Sequence, residues 1–266
     1  MKKLLYILAS AAIVAGGCSQ EKDTTATGEG GTIRIACEAD LTIDSSTAAT
    51  QGMTRAAAAP TADKFTLRIT GTNYDRTWAT VAAYNAEETA YTFPEGDYTV
   101  SVAYGDPTTE GVDKAYYAGS VGVTVLPRRA TEAKITAKVC NSQALVRATE
   151  AFKKYYNNAE FTLTTGSDNV FTFHPCNEAE EESVWVKAGT KLTVTGTARG
   201  QSQDGVADGP LYTFTPEPLE ATRAATRHIF TLDAKKAGSA TLTITLGEGY
   251  TETQELDLEL NEGAIE

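Results

Sequence analysis

Residues 98–104 read Tyr-Thr-Val-Ser-Val-Ala-Tyr, in which every second side chain is apolar or aromatic and those between are small. Successive side chains of a β-strand point to opposite faces, so this stretch predicts a strand with one buried and one solvated face. The same alternation recurs at residues 33–37, 65–69, 121–125, 135–139, 192–194, 230–232, 242–246 and 256–260. Such strands are typical of antiparallel sheets that cover a core with one face.

An internal sequence repeat divides these strands into two sets. Residues 124–130 align without gaps to residues 231–237, and an alternating stretch follows each of them, which predicts a hairpin in both places. The sequence therefore predicts an all-β fold of two tandem antiparallel β-sandwich domains, Ig-like or transthyretin-like, over residues 32–139 and 140–266. One short helix is expected in the second domain, because Thr149 can cap it and Phe152 and Tyr156 share one face.

The N-terminus has the features of an export signal. Residues 1–17 combine two lysines with an apolar run that is shorter than the roughly 20 residues needed to span a bilayer, which predicts a signal peptide. Small residues then lead into Cys18, an order that resembles the lipobox of bacterial lipoproteins. We expect a lipid on Cys18, although an ordinary signal peptide with an incidental cysteine is the alternative.

A polar segment follows the predicted lipidation site. Residues 18–31 are rich in Thr, Gly and charged side chains, which indicates a flexible tether. The acidic residues just after Cys18 resemble the surface-export signal of Bacteroidetes lipoproteins. The expected location is therefore the outer membrane, lipid-anchored and exposed at the cell surface.

The charge balance limits the classes of partner. The chain has 35 acidic and 23 Lys or Arg side chains, a net charge of −12. Binding to phosphate backbones needs clusters of Lys and Arg, so a nucleic-acid partner is not expected. An acidic surface is also not attracted to anionic lipid, so contact with the membrane would come from the lipid anchor.

The remaining cysteines do not form a complete disulfide set. With Cys18 lipidated, three are left, and an odd count permits at most one disulfide. These residues are Cys37, Cys140 and Cys176. Cys140 and Cys176 are the predicted pair, because both lie in the second half. Neither a metal nor a cofactor is predicted, since the chain has no C-x-x-C pair and only two histidines.

No recognisable catalytic motif is present. The sequence lacks a G-x-S-x-G elbow, an H-E-x-x-H helix and a glycine-rich phosphate loop after a strand. His174 and His228 are expected to be structural or exposed. The sequence therefore favours a protein that is not an enzyme.

Four stretches together resemble a family of Bacteroidetes lipoproteins known as domain of unknown function 4493. They are residues 31–35, residues 54–56 with 63–69, residues 93–100 with 114–119, and residues 150–156. The resemblance implies an exported lipoprotein and supplies no biochemical activity. In layout, the chain is also similar to fimbrillin-like subunits, which are lipoproteins with two β-sandwich domains.

The second resemblance implies a route to assembly. In such pilins a protease cuts after an Arg beyond the first strand, and a strand from another subunit fills the groove. Here the matching residue is Arg55, and the exchanged elements would be the first strand and residues 255–260. An uncut chain, whose first strand simply completes the sandwich, is the alternative that the sequence favours, because Thr-Arg-Ala is short and common in such loops.

Two functions fit these features. The first is a cell-surface structural or adhesion lipoprotein, fimbria-like, with other pilin-like subunits as partners. The alternative is a glycan- or ligand-binding surface lipoprotein, in which exposed aromatic rings would stack on sugars. Trp78, Tyr116 and Tyr117 are the candidates for stacking. The sequence favours the competing role for Trp78 and some of the tyrosines, which is to fill the core, where aromatic side chains contribute much of the buried area.

Overall fold

The computed structural model describes residues 30–40, 60–177, 182–201, 209–215, 218–235 and 240–245. Cys18, Arg55 and the predicted strand at residues 256–260 lie outside these ranges. The prediction of an all-β fold is confirmed, because the described residues form fourteen strands and only two short α-helices.

The strands of the first half form one six-stranded sheet. In chain order they are β1 (Thr32–Asp40), β2 (Thr66–Gly71), β3 (Tyr74–Trp78), β4 (Gly96–Tyr104), β5 (Tyr117–Val125) and β6 (Ala130–Val139). Their order across the sheet is β1-β6-β5-β4-β2-β3. Ile33 and Trp78, from the two outermost strands, pack in the same core. The sheet therefore curls around a single apolar interior.

The strands of the second half form two four-stranded sheets. Those of the first sheet, in the order β10-β7-β13-β14, are β7 (Ser142–Ala148), β10 (Val184–Val186), β13 (Arg227–Asp233) and β14 (Thr241–Thr245). Those of the second, in the order β12-β11-β8-β9, are β8 (Tyr156–Thr165), β9 (Val170–Phe173), β11 (Leu192–Gly200) and β12 (Leu211–Phe214). Side chains from both sheets share one core, which includes Val146, Phe161 and Phe230.

The alternation in the sequence accounts for the burial of these strands. On β4, Tyr98, Val100 and Val102 are buried, whereas Thr99 between them is exposed. The register pairs Val100 with Ile69 of β2, another buried position. Each such aliphatic side chain contributes about 1.5–3 kcal/mol when it is fully removed from water.

The predicted helix of the second half is present as α2 (Glu150–Tyr155). The hydroxyl of Thr149 accepts a hydrogen bond from Phe152 N at 3.1 Å, which is the predicted cap. The ring of Phe152 stacks on Tyr156 with 4.7 Å between centroids. The two predicted hairpins also form, since β5 pairs with β6 and β13 pairs with β14, both antiparallel.

Two features were not predicted. The first half contains a helix of its own, α1 (Val81–Ala86), which Thr80 caps through a hydrogen bond from Ala83 N. Two strand pairs are parallel, β1 with β6 and β7 with β13. Parallel neighbours require a long connection, and the side-chain period of a strand carries no information about its direction.

No helix in the described ranges is long and apolar enough to cross a membrane.

Candidate functional site

The first strand lies at the edge of its sheet. Across all nine residues, β1 pairs in parallel with β6, from Thr32 opposite Ala130 to Asp40 opposite Lys138. Ile33 and Ile35 point into the core and are buried. The end of the strand is less enclosed, because Ala36 and Glu38 are both exposed. Because β1 lies at one edge of the sheet, as β3 does at the other, it can leave by breaking a single row of pairing.

The beginning of β1 is held on both sides. Gly31 exchanges two backbone hydrogen bonds of 2.9 Å with Phe93, and Thr32 N donates to Arg129 O at 2.9 Å. Gly31 is also closely surrounded. A Cβ atom at this position would overlap the carbonyl oxygen of Leu126 and lie 2.7 Å from Val125 Cγ1. The strand that occupies this position therefore needs a glycine here.

The helix α1 covers the other flank of β1. Tyr84 donates its hydroxyl to Ile33 O at 2.6 Å, and Asn85 Nδ2 donates to Ile35 O at 3.1 Å. Both bonds go to backbone carbonyls, so they recognise an extended strand and not its particular side chains. Arg34 adds a surface ion pair with Glu88 at 3.3 Å, which contributes little to stability.

We call these surroundings the β1 seat: strand β6, Phe93, the turn at Arg129, and Tyr84 with Asn85 of α1. On β6, Ala133, Ile135 and Ala137 point into the same core as Ile33. If β1 left, the seat would expose a row of unpaired backbone groups beside an apolar stripe. Such an edge is a template for pairing with another strand.

Two of the predicted sugar-stacking residues lie in the core. Trp78 is only 7 % exposed and Tyr117 only 2 % exposed, so neither ring can receive a sugar in this conformation. Trp78 packs edge-on against Tyr84 at 4.9 Å, and Arg76 lies 5.1 Å from the centre of its ring. These rings are buried because the curled sheet needs large side chains to fill its interior.

Tyr116, the third candidate, is only half-buried. It borders a shallow cavity of about 510 Å³ on the outer face of the first sheet. Small and hydroxyl-bearing side chains line much of this cavity, together with Arg68, which forms a two-point ion pair with Asp75. The cavity therefore combines a few hydroxyl groups with a mostly apolar lining and one aromatic side chain.

The predicted disulfide between Cys140 and Cys176 is absent from the structure, in which both residues are free thiols. Cys140 follows the last strand of the first sheet, and its Sγ lies 3.4 Å from Lys138 O. Cys176 packs against the core of the second half, where its Sγ lies 3.7 Å from Tyr156 O. Burial raises the pKa of the Cys176 thiol. The prediction of this disulfide is wrong in the structure, because it relied only on the position of both cysteines in the second half of the sequence. The two residues lie in different packing environments.

A single carboxylate connects the two halves. Glu110, in the loop between β4 and β5, accepts a hydrogen bond from Lys187 N at 2.8 Å through Oε1. Its Oε2 accepts from Asn169 Nδ2 at 2.6 Å and Thr165 Oγ1 at 2.7 Å. Burial of the carboxyl opposes ionisation, but these hydrogen bonds outweigh it and hold the pKa of Glu110 below its usual value.

Backbone pairing and an indole ring extend this contact. Gly111 and Trp185 exchange two backbone hydrogen bonds of 2.8 Å. Trp185 is 5 % exposed and packs in the core of the first half, although it belongs to β10 of the second. Asn141 adds two bonds, accepting from Tyr116 N and donating to Lys114 O. We call this set of contacts, from Glu110 to Trp185, the junction.

A buried histidine lies in the second half. His228, on β13, has no exposed surface, and its Nε2 accepts a hydrogen bond from Arg223 N at 3.1 Å. Its Nδ1 is buried without a hydrogen-bond partner in the described part of the chain. Burial lowers the pKa of His228 to about 4, so the ring is neutral at pH 7. His174, the other histidine, is exposed.

Among the described residues, no three His, Cys, Asp or Glu side chains converge on a point that could hold a metal ion. Sequence reasoning missed Glu110, Trp185 and His228 as contacts. A lone acidic residue in a polar loop and a tryptophan in a short apolar run give no sign of a partner that is distant in sequence.

Comparison with solved structures finds similar proteins at low sequence identity. A candidate polysaccharide-binding protein from Bacteroides thetaiotaomicron is 9 % identical, with a TM-score of 0.41 over 84 % of this chain and 98 % of that chain. A candidate adhesin from the same species is 12 % identical, with a TM-score of 0.38 over 83 % and 97 % of the two chains. A fimbrial assembly protein from Parabacteroides distasonis is 8 % identical, with a TM-score of 0.37 over 68 % and 90 %.

The sequence comparisons give one assignment. No curated protein matches the chain. A family model described as "Domain of unknown function (DUF4493)" matches residues 29–262, which is most of the chain and includes every described strand. The predicted resemblance is confirmed, and the chain belongs to the DUF4493 family.

Proposed function

We propose that the protein reaches the cell surface as a lipid-anchored precursor and becomes a structural subunit there, with an adhesive or fimbria-like role and no catalytic activity. The observation that supports this proposal is the β1 seat. It holds an edge strand through backbone bonds, and residues 41–59, which include Arg55, connect that strand to the rest of the chain. Cys18 is the proposed point of attachment of the uncut precursor to the outer membrane.

Cleavage after Arg55 would leave β1 held only by non-covalent contacts. Its loss would uncover the stripe of Ala133, Ile135 and Ala137 and remove the burial of Ile33 and Ile35. Each of those isoleucines is worth about 1.5–3 kcal/mol when buried, so the emptied seat would be unstable in water. A strand from another copy would restore that burial by β-augmentation.

Residues 255–260 are the proposed donor strand. Leu256, Leu258 and Leu260 alternate with acidic residues, so one face of this strand could replace the isoleucines. The hydrogen bonds from Tyr84 and Asn85 reach backbone carbonyls, which any strand supplies. The seat would therefore accept the backbone of a foreign strand, whose residues 255–260 would take the positions of residues 32–37 and not that of Gly31.

Electrophoresis of unboiled surface extracts tests the proposal. The native protein should form a ladder of detergent-resistant oligomers, and an Arg55→Ala variant should run as a single species. Arg129→Ala, at an exposed arginine in the turn that bonds β1 through its backbone, is the matched control and should keep the ladder. A ladder that persists in Arg55→Ala would contradict cleavage as the trigger for assembly.

Glycan binding is the second proposed function, and the shallow cavity beside Tyr116 supports it. Hydroxyl groups, the Arg68–Asp75 pair and one aromatic edge match the polar edges and apolar faces of sugar rings. A glycan array tests it directly. Binding that is lost in Tyr116→Ala and kept in Tyr104→Ala would support this role, because Tyr104 is exposed and does not line the cavity.

A further inference from the structure

A short segment of the second half packs against the junction. We call residues 220–226 the strap. Thr222 donates its hydroxyl to Lys187 O at 2.6 Å, next to the amide that binds Glu110. Ala225 donates its N–H to Asn141 O at 2.9 Å and packs against the core of the first half. The strap therefore contacts Lys187 and Asn141, two residues of the second half that form hydrogen bonds across the junction.

The Arg223 peptide group in the strap is held from two directions. Its N–H donates to His228 Nε2 at 3.1 Å, and its carbonyl accepts from Ser142 Oγ at 2.5 Å. Because Nε2 is the acceptor, the single ring proton of neutral His228 must lie on Nδ1. That Nδ1 is the atom buried without a hydrogen-bond partner among the described residues.

We propose that His228 is an acid-sensitive latch, whose protonation at Nε2 releases the strap and thereby loosens the junction between the two halves. A proton on Nε2 would point at the Arg223 N–H, replacing a hydrogen bond with two facing donors. The imidazolium would also lie in a buried site, where the described residues offer no acceptor to Nδ1. Both effects are relieved when the strap swings away and lets water reach the ring.

The groups around the ring do not stabilise its charge. Strand β7 places Ala144 opposite His228, and β10 in turn places Val184 opposite Ala144. The strap contributes Arg223, whose positive charge further disfavours protonation. Arg227 is the neighbour on β13 itself, and its guanidinium donates to Gln143 Oε1. The charged groups identified near the latch are therefore cationic.

The size of the response follows from proton linkage. The ring has a pKa of about 4 with the strap closed and an ordinary value of 6.5 when released. A lowered pKa means that the closed form binds fewer protons than the open form, so the closed form loses stability as the pH falls below 6.5. Between pH 7 and pH 5 the equilibrium constant for opening should rise about 20-fold.

Hydrogen exchange of the full-length protein in mild detergent, read by mass spectrometry and corrected for intrinsic rates, measures this equilibrium. The strap peptide should lose about 20-fold in protection between pH 7 and pH 5. Peptides that contain Gly111 and Trp185 should lose protection with it, whereas a β4 peptide around Val100 should not. In His228→Gln, which keeps an acceptor near the Nε2 position but does not titrate, strap protection should not change with pH. His174→Gln, the matched control, should behave as the parent.

Three outcomes would overturn the proposal. The first is strap protection that changes less than threefold in the parent. The second is a loss of protection in the β4 peptide that equals the loss in the strap, which would mean global unfolding. The third is a loss of protection in the strap while the peptides with Gly111 and Trp185 stay protected, which would mean that protonation of His228 does not affect the junction. If His228→Gln does not fold, the His174→Gln protein still decides the matter. In that protein His228 is the only histidine. The loss of strap protection must therefore begin near pH 6.5 and level off near pH 4 as the pH falls.

Discussion

Replacing Glu110 with Gln should weaken the junction, and the three hydrogen bonds of Glu110 determine how far the free energy of unfolding falls. The carboxylate offers two oxygens, one to Lys187 N and the other to both Thr165 and Asn169. An amide offers one oxygen and one NH₂ group. In either orientation, at least one of these donors would face another donor, and the remaining bonds would lose their charge assistance.

The magnitude follows from typical values. A hydrogen bond to a charged group contributes about 1.5–3 kcal/mol net, and an unpaired buried donor costs about 1–3 kcal/mol. Glu110 is only partly buried, so water can reach the donors and the lower end of the range applies. We expect the free energy of unfolding to fall by about 2 kcal/mol, which corresponds to a Tm lower by about 4–8 °C in a protein of this size.

Urea titration followed by tryptophan fluorescence is the assay, because Trp185 reports on the junction directly. Glu95→Gln is the matched control, since Glu95 is exposed and forms no hydrogen bond or ion pair in the described residues. That variant should stay within about 0.5 kcal/mol of the parent. If Glu110→Gln is equally close to the parent, the three hydrogen bonds do not hold the two halves together and the reasoning is refuted.

Further predictions concern the helix cap, the β1 seat and an aromatic residue. Thr149→Ala removes the cap of α2 and should cost about 1 kcal/mol in urea titration, with Thr149→Ser close to the parent. Gly31→Val should expel β1, seen as fast hydrogen exchange in residues 32–40 while β4 stays protected; a fully protected β1 would contradict the fit of the seat. Trp78→Ala should cost about 3–5 kcal/mol because it leaves a cavity, and a thermal midpoint close to that of the parent would argue against burial.

The features that the sequence predicted correctly depend on near neighbours. The alternation at residues 98–104 places Val100 and Val102 inside because side-chain direction along a strand has period two. The cap at Thr149 depends on a residue three positions away. A helix of six residues, α1, was not predicted because its buried residues are only Val81 and Tyr84, too few to establish a helical period.

The features that were missed depend on residues far apart in the chain. Glu110 binds partners 55, 59 and 77 positions away, and no local pattern marks such a contact. A core position for Trp78 is the one that the sequence favours and the structure has, but residue type alone does not decide it, because tryptophan suits both a core and a sugar-binding surface. The direction of β1 beside β6 depends on how residues 41–129 return to the sheet, which alternation does not encode.

Mass spectrometry of the mature protein, taken from the surface of its native host, tests the central claim most directly. The proposed assembly requires cleavage of the chain after Arg55 and replacement of β1 by a strand from another copy. It predicts a protein that begins at Ala56 and lacks the peptide containing Cys18. An intact chain that begins at acylated Cys18 and carries β1 would contradict it.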